Sequence, residues 1–367
     1  MTSHEFYMDL ALQNARAMKG QTDPNPLVGS VIVNDNRIVG VGAHLKAGEP
    51  HAEIHALRMA GEKATGGTIY VTLEPCSHHG RTGPCAEAIV KAGLSRVVIA
   101  TLDPNPIVAG NGVKILEEAG IDVIIGVREE ESRKMNEVFN KFIVRQLPFV
   151  TLKSASTLDG KIASSSLDSK WITSEEARYD VHKLRNENMA ILVGVNTVIE
   201  DDPELTTRIP NGRNPIRVVM DSTLKIPLNA KLVTDELAET WVFTSEAYHR
   251  ERKKSLEERG VKVFVTNHPD RVNPLEVLEI LGKQLISSLL IEGGGGINAS
   301  FLENKLIDKV VIYYAPKLIG GKTAPTFIEG TGIDKMRDAV ELTDVSVTQL
   351  GKDFKFVGYP QNAAADS

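Results

Sequence analysis

A chain of 367 residues is longer than one hydrophobic core usually supports, so two domains of ordinary size are expected. Its 42% hydrophobic and 25% charged residues exclude a fibrous, collagen-like or disordered polypeptide. A formal net charge of −6 gives no general attraction to a nucleic-acid backbone, which is normally met by a basic face.

The opening residues Met1-Thr2-Ser3-His4-Glu5-Phe6-Tyr7 lack the basic and apolar regions of a signal peptide, and no uncharged apolar stretch is long enough for a bilayer. A cytoplasmic location without membrane contact is expected. Residues 5–18 place Tyr7, Met8, Leu10, Ala11 and Ala15 on one side at helical spacing. Strands follow at 27–33 and 38–42, with Asn34-Asp35-Asn36 as their turn. Next come a helix from about His51, a strand at 68–73 and a helix from Cys85 closed by Gly93. A strand at 96–101, a helix ending near Gly120 and a strand at 121–126 complete a layered α/β pattern.

A charged helical segment over 128–146 leads to Pro148, which should stop a helix, so the domain boundary is placed there: 1–147 and 148–367. The second half restarts with a strand at 149–155. Apolar strands continue at 190–195, 217–221, 241–244, 261–266, 288–291 and 309–315, separated by amphipathic stretches, so it too is α/β. A short polar tail follows Pro360.

The strongest chemical signal is His51-Ala52-Glu53, followed by Pro75-Cys76 and Pro84-Cys85. One His and two Cys are donors suited to zinc, and a catalytic zinc usually takes three protein ligands and leaves one position for water. Glu53, two residues from the His, is placed to handle protons without binding the metal, as in the H-x-E…P-C signature of zinc nucleobase deaminases. In a reducing compartment the two cysteines, the only ones in the chain, favour a metal over a disulfide. Helix starts at His51 and Cys85 would favour a thiolate. His78 and His79 are not needed as ligands once three are supplied. His55 sits one turn beyond His51 like a metal pair, but Glu53 lies on another face. An ordinary helix histidine with two buried thiols is the alternative, and the complete pattern argues against it.

In the second half, Leu289-Leu290-Ile291-Glu292 runs into Gly293-Gly294-Gly295-Gly296 and then Ile297-Asn298-Ala299-Ser300. Glycines between a strand and a helix can bring backbone N–H groups to a phosphate, or can simply serve tight packing. The G-x-G-x-x-G pattern is absent, which argues against a Rossmann unit. Lys170-Trp171-Ile172-Thr173-Ser174 precedes a helix with Ser174 as its N-cap.

Generic deaminases space their cysteines C-x-x-C, whereas Cys76 and Cys85 here enclose Ser77-His78-His79-Gly80-Arg81-Thr82-Gly83-Pro84. With Asn25-Pro26-Leu27-Val28-Gly29 before it and Asp103-Pro104-Asn105-Pro106 after it, this spacing closely resembles the bifunctional diaminohydroxyphosphoribosylaminopyrimidine deaminase/5-amino-6-(5-phosphoribosylamino)uracil reductase family. The likeness runs from Tyr7 to about Phe356. Gly83 stands where that family often has Pro.

The resemblance implies a cytidine-deaminase-like three-layer α/β domain followed by a dihydrofolate-reductase-like α/β domain. It implies riboflavin biosynthesis: hydrolytic deamination of the pyrimidine ribotide, then NADPH-dependent reduction of its ribosyl group to ribityl. In that family's pattern His51, Cys76 and Cys85 hold zinc and Glu53 shuttles protons. Asn25, His44, Arg81, Asp103 and Asn105 match deaminase substrate contacts. By residue type alone, Arg81 suits a ribose phosphate or a solvated surface equally.

The matching NADPH positions are Ala155, Trp171, Thr197, Asp201, Ser222 and the turn Gly294, Gly295, Gly296, Ile297, Asn298, Ala299 and Ser300. Those for the reductase substrate are Ser169, Arg185, Leu205, Arg208 and Glu292, with Lys153 close to the reacting sugar. Arg185 and Arg208 could clamp the phosphate, and Glu292 could bind ribose hydroxyls. Without the resemblance, Trp171 would read as core and Arg185 as a surface charge. A homo-oligomer acting on small-molecule ribotides, without nucleic-acid partners, is expected. A deaminase of nucleosides or RNA carrying a regulatory nucleotide-binding domain is the competing reading, and the acidic balance argues against RNA.

Overall fold

Strand residues of the N-terminal half alternate between two helix layers, as a side-chain period of two requires. The computed structural model describes residues 3–77, 83–105 and 109–361. The chain divides into two units, Met1–Gln146 and Leu147–Ser367. The expected contacts of Arg81, and His78 and His79, lie outside the described residues.

The first unit runs α1 (Ser3–Arg16), β1 (Gly29–Asn34), β2 (Arg37–Ala43), α2 (Ala52–Ala60), β3 (Thr68–Leu73), α3 (Cys85–Lys91), β4 (Arg96–Thr101), α4 (Asn111–Glu118), β5 (Asp122–Ile125), α5 (Glu129–Met135) and α6 (Glu137–Arg145). Its sheet has the order β2-β1-β3-β4-β5, with β1 antiparallel to both neighbours and β3, β4 and β5 parallel. Ile32, Ile69, Val71, Val97 and Ile99 pack with Ala52, Ala56, Ile89 and Leu116 from α2, α3 and α4. The intervening Val31, Val33, Tyr70, Val98 and Ala100 face Met8, Ala11 and Leu12 of α1. The result is a three-layer sandwich. The hairpin turn expected at 34–36 is made by Asp35 and Asn36, with φ 49° and 58°, the hand that a two-residue hairpin needs.

Two close approaches fix the start of α2. A Cβ on Gly40 would lie 2.2 Å from the Ala56 carbonyl oxygen, and one on Gly42 would lie 2.2 Å from that of Ala52. Glycine at both positions lets α2 settle onto β2, and His51 is the N-cap residue of that helix.

The single helix expected over 128–146 is divided into α5 and α6 at Asn136 (φ −102°, ψ 22°). Periodicity does not reveal this break, at which the Asn136 side chain makes a tertiary contact with Leu27.

The second unit runs β6 (Phe149–Thr157), α7 (Glu175–Glu187), β7 (Ala190–Gly194), α8 (Val195–Asp201), β8 (Ile216–Met220), α9 (Lys231–Thr234), β9 (Thr240–Thr244), α10 (Arg250–Glu257), β10 (Lys262–Val265), α11 (Pro274–Lys283), β11 (Ser288–Ile291), α12 (Gly295–Glu303), β12 (Lys309–Ala315), β13 (Leu342–Leu350) and β14 (Asp353–Pro360). These strands form one nine-stranded sheet in the order β10-β9-β8-β7-β11-β6-β12-β14-β13. It is parallel from β10 through β12, and the last two strands are antiparallel. The sequence pattern does not reveal the last ribbon, because the interior of β13 is exposed and no buried face imposes an alternation.

One sheet face packs Leu152, Leu192, Val218 and Phe243 with Val277, Leu278 and Phe301 of α11 and α12. On the other face Ile191, Val193, Val219 and Val242 meet Val198 of α8 and Leu256 of α10. Farther along, Val311 and Tyr313 meet Ala177 and Val181 of α7. Ser174 caps α7 as expected, its hydroxyl accepting the Ala177 N–H at 3.3 Å. Among the described residues no helix is long and apolar enough to cross a membrane.

Candidate functional site

Three donors converge in the first unit. His51 enters from the N-cap of α2, Cys76 from the loop after β3, and Cys85 from the first turn of α3. His51 Nδ1 lies 3.5 Å from Cys76 Sγ and 3.3 Å from Cys85 Sγ, and all three donor atoms fall within 4.8 Å of one another. A tetrahedral zinc with Zn–S of about 2.3 Å and Zn–N of about 2.0 Å sets its donors roughly 3.5–3.8 Å apart, so the cluster fits that ion. The Cys85 backbone N–H donates to Cys76 Sγ at 3.3 Å, adding a fixed positive dipole beside the thiol.

The electrostatics match a cation site. A hydrogen bond from Cys85 draws the Cys76 thiol down to about 4, overcoming its burial, with His51 assisting. The Cys76 neighbour and burial then drive Cys85 upward. Two thiols this close resist double ionisation unless positive charge lies between them.

Glu53 is 3% exposed, and its Oε2 has no hydrogen-bond partner among the described residues. Burial is the main cause that pushes its pKa up to about 7, where a carboxyl group can both take and give a proton near neutrality. His44 lies edge-on to His51, with ring centroids 5.4 Å apart. Its Nε2 meets Asn25 Nδ2 at 3.1 Å and its Nδ1 meets the Pro50 carbonyl at 3.3 Å. Burial, with help from the His51 and His55 rings, lowers the His44 pKa despite the Pro50 bond. Asp103 and Asn105 sit just past the C-terminal end of β4, where Asp103 Oδ1 accepts the Asn105 N–H at 2.9 Å.

In the second unit several of the expected residues follow the carboxyl ends of parallel strands, where open α/β sheets place their ligands. Lys153 and Ala155 lie on β6, Thr197 and Asp201 on α8 after β7, Ser222 after β8, and Glu292 after β11. The β11–β6 register pairs Ile291 with Leu152, which brings Glu292 and Lys153 together at 3.2 Å. Arg185 of α7 closes on the same carboxylate with Nε at 2.8 Å and Nη2 at 3.0 Å, and its Nη1 donates to the Thr206 carbonyl at 3.0 Å.

The Arg185 fork is therefore occupied by Glu292 rather than open. Burial alone would raise the Glu292 pKa, but Arg185 and then Lys153 outweigh it and hold the carboxyl far below its usual range. Arg208 is exposed and bound to Glu204 at 3.2 Å, while Leu205 is buried in the left-handed conformation (φ 52°). Ser169 is partly buried in the loop before α7.

The glycine turn divides by function. A Cβ on Gly293 would lie 2.7 Å from Ile297 Cβ, and one on Gly295 would lie 2.6 Å from the Thr326 carbonyl, so packing demands both. Gly294 and Gly296 face open space, with nothing within 4 Å of a built Cβ. Asn298 and Ala299 are buried, so what this stretch offers a phosphate is backbone N–H rather than those side chains. Trp171 is not core: it is 61% exposed, with the Arg178 guanidinium 4.6 Å from its ring centroid.

Sequence reasoning missed Glu74, Ser132 and Asn136, all buried polar residues in the first unit. Only Glu74, beside Pro75-Cys76, carries a local hint of importance.

The chain is similar to known proteins over both units. Residues 148–356 match the family model described as the RibD C-terminal domain, and residues 1–101 match the cytidine and deoxycytidylate deaminase zinc-binding region. Riboflavin biosynthesis protein RibD of Bacillus amyloliquefaciens is 47% identical over 359 residues, covering 98% of this chain and 96% of the relative. The structure of Acinetobacter baumannii RibD, form 1, superposes with a TM-score of 0.87 at 40% identity, covering 97% of this chain and 98% of that one. A diaminohydroxyphosphoribosylaminopyrimidine deaminase/5-amino-6-(5-phosphoribosylamino)uracil reductase from Thermotoga maritima superposes with a TM-score of 0.84 at 38% identity, again covering 97% and 98%. With family models matched in both halves and relatives matched over nearly the whole chain, the chain belongs to the RibD family of riboflavin biosynthesis proteins, a deaminase and a reductase in one polypeptide.

Proposed function

We propose that residues 1–147 deaminate 2,5-diamino-6-(5-phosphoribosylamino)pyrimidin-4-one and that residues 148–367 reduce the product's ribosyl group to ribityl with NADPH. The observation that carries the first assignment is the convergence of His51, Cys76 and Cys85 beside the buried Glu53 carboxyl, whose Oε2 has no hydrogen-bond partner among the described residues. Those three donors would hold zinc, which would supply activation of a water for attack on the amidine carbon. Glu53 takes a proton from the attacking water and delivers one to the departing amine, a role that its raised pKa suits. Asn25 and His44, already hydrogen-bonded to each other, present polar atoms to the pyrimidine, while Asp103, Asn105 and Arg81 hold the rest of the ribotide.

The second assignment rests on the Lys153–Glu292–Arg185 cluster beside an open glycine turn. NADPH brings the hydride, and the chain binds and orients it. Within the 294–300 turn, the backbone N–H groups ahead of Asn298, whose own N–H goes to the Gly294 carbonyl at 3.1 Å, take a cofactor phosphate, with Ala155, Trp171, Thr197, Asp201 and Ser222 along the rest of the molecule. Once the N-glycoside has opened toward an imine, C1′ would receive the hydride and the imine nitrogen a proton, giving the ribitylamine and NADP⁺. Lys153 lies next to that carbon, Glu292 holds sugar hydroxyls, and Ser169, Leu205 and Arg208 complete the substrate site. Arg185, whose guanidinium is oriented by Glu292, and Arg208 are the phosphate partners.

The protein acts as a cytoplasmic homo-oligomer. Two free thiols assembled for a metal suit a reducing compartment, and the exposed Val345, Val347 and Phe354 on the β13–β14 ribbon suit burial against another copy. Supplying the purified protein with the ribotide and NADPH tests the two-enzyme reading. Ammonia and NADP⁺ should both appear. Ammonia without NADPH oxidation would reduce the second unit to a binding module.

A further inference from the structure

Glu74 takes no part in the chemistry above, yet it is only 4% exposed and makes a concentrated set of backbone contacts. Its Oε2 accepts the N–H groups of Asp103 at 3.2 Å and Gly110 at 3.0 Å. Its Oε1 accepts those of Gly112 at 2.9 Å and Val113 at 3.3 Å. Glu74's own backbone N–H donates to the Thr101 carbonyl at 3.0 Å, beyond the Leu73–Thr101 pair that ends the β3–β4 ladder.

Two kinds of orphan donor meet this one carboxylate. The N-cap position of α4 is Gly110, which has no side chain to cap the helix, so Glu74 caps it from across the loop at Gly112 and Val113. The approach is close enough that a Cβ on Gly112 would lie 2.0 Å from the Pro75 carbonyl. Past the end of β4, Asp103 has left the ladder, and Glu74 takes its N–H while Asp103 in turn holds Asn105. The same residue stands two positions before Cys76.

We propose that Glu74 is a positioning residue for deamination, holding the 103–105 segment in register with the ligand segment that begins at Cys76. This rests on the reading of Asp103 and Asn105 as substrate contacts. Both carboxylate oxygens are needed, since each serves a different pair of N–H groups. Glutamine has the same size but would turn an N–H group toward one pair.

The full-length Glu74→Gln and Glu74→Ala variants test this, with zinc content and reductase turnover on deaminated ribotide as controls for the fold. Glu74→Gln should keep its zinc and its reductase activity while KM for deamination rises about tenfold, the effect of losing roughly one charged hydrogen bond, with kcat changing less. Glu74→Ala should raise KM further. Combining Glu74→Gln with Asp103→Ala should give a smaller KM than the product of the two single effects. An unchanged KM in Glu74→Gln, loss of its zinc, or multiplying effects in the double variant overturns the inference. If Asp103→Ala and Asn105→Ala both raise KM while Glu74→Gln does not, only the inference falls. If those two are silent, the substrate reading falls and takes the inference with it.

Discussion

Asn136 faces Leu27 with both ends of its carboxamide: Oδ1 accepts the Leu27 N–H at 2.8 Å, and Nδ2 donates to the Leu27 carbonyl at 3.0 Å. The side chain thereby gives Leu27 the pair of bonds that a neighbouring strand would supply, two residues from Asn25. Nearby, Ser132 Oγ donates to the Thr72 carbonyl at 2.6 Å, and Thr72 Oγ1 accepts the Gly29 N–H at 3.1 Å. The helices after β5, outside the region matched by the deaminase family model, thus brace the segment bearing Asn25.

Asn136→Ala should leave the Leu27 donor and acceptor buried and unpaired, destabilising the first unit by about 1–3 kcal/mol. Urea unfolding of the full chain should show an earlier transition for that unit. KM for deamination should rise with it, while reductase activity stays. A wild-type unfolding profile would show that the Asn136 bonds are not needed.

Zinc should follow its ligands and not its neighbour. Cys76→Ala combined with Cys85→Ala should abolish metal retention, read by elemental analysis. Glu53→Gln should keep the metal and lose about 10²–10⁴-fold in deamination, because an amide cannot relay protons. Full zinc retention in the double variant would remove the site.

Arg185→Ala should do more than a lost surface charge would. It leaves a buried carboxylate with Lys153 as its remaining charged partner, a change that typically costs about 3–5 kcal/mol. The second unit should unfold earlier and reduction should fail, whereas Arg208→Ala, at an exposed position, should mainly raise KM. Equal losses of stability in the two variants would contradict this division of roles.

The acid side of the stability curve should carry a histidine signature. Burial, followed by the guanidinium groups of Arg185 and Arg208, pushes His182 from 6.5 down to about 4. Between those values the unfolded chain binds the proton that the folded chain refuses, so stability falls as pH falls through the window. His182→Gln keeps a hydrogen-bond acceptor and does not titrate. Urea midpoints measured across the window should therefore depend less on pH in that variant than in the wild type.

A fragment beginning just before Pro148 should bind NADPH and reduce the deaminated ribotide without metal. The second unit has its own core, and every zinc ligand lies in the first. A folded fragment that oxidises no NADPH with authentic substrate would count against the reductase assignment.

The sequence by itself determined the kind of chemistry and most of the element order. His51, Cys76 and Cys85 are legible because metal ligation demands particular atom types, Glu53 because a proton carrier beside them demands a carboxyl group, and the spacing of residues along one chain survives folding. Strands such as β3 and β4, and the helices that alternate with them, are legible because a buried face writes its period into the residues. Strand β13 was not, since an exposed strand has no such face to write.

Only the tertiary structure decided how buried charges and amides are used. Arg185 could equally have been a surface charge, until the β11–β6 register set Glu292 beside Lys153 and α7 carried the guanidinium onto the same carboxylate. Asn136 could have been one more residue in a continuous helix. Its partner lies 109 positions away, and no local pattern encodes a hydrogen bond over that distance.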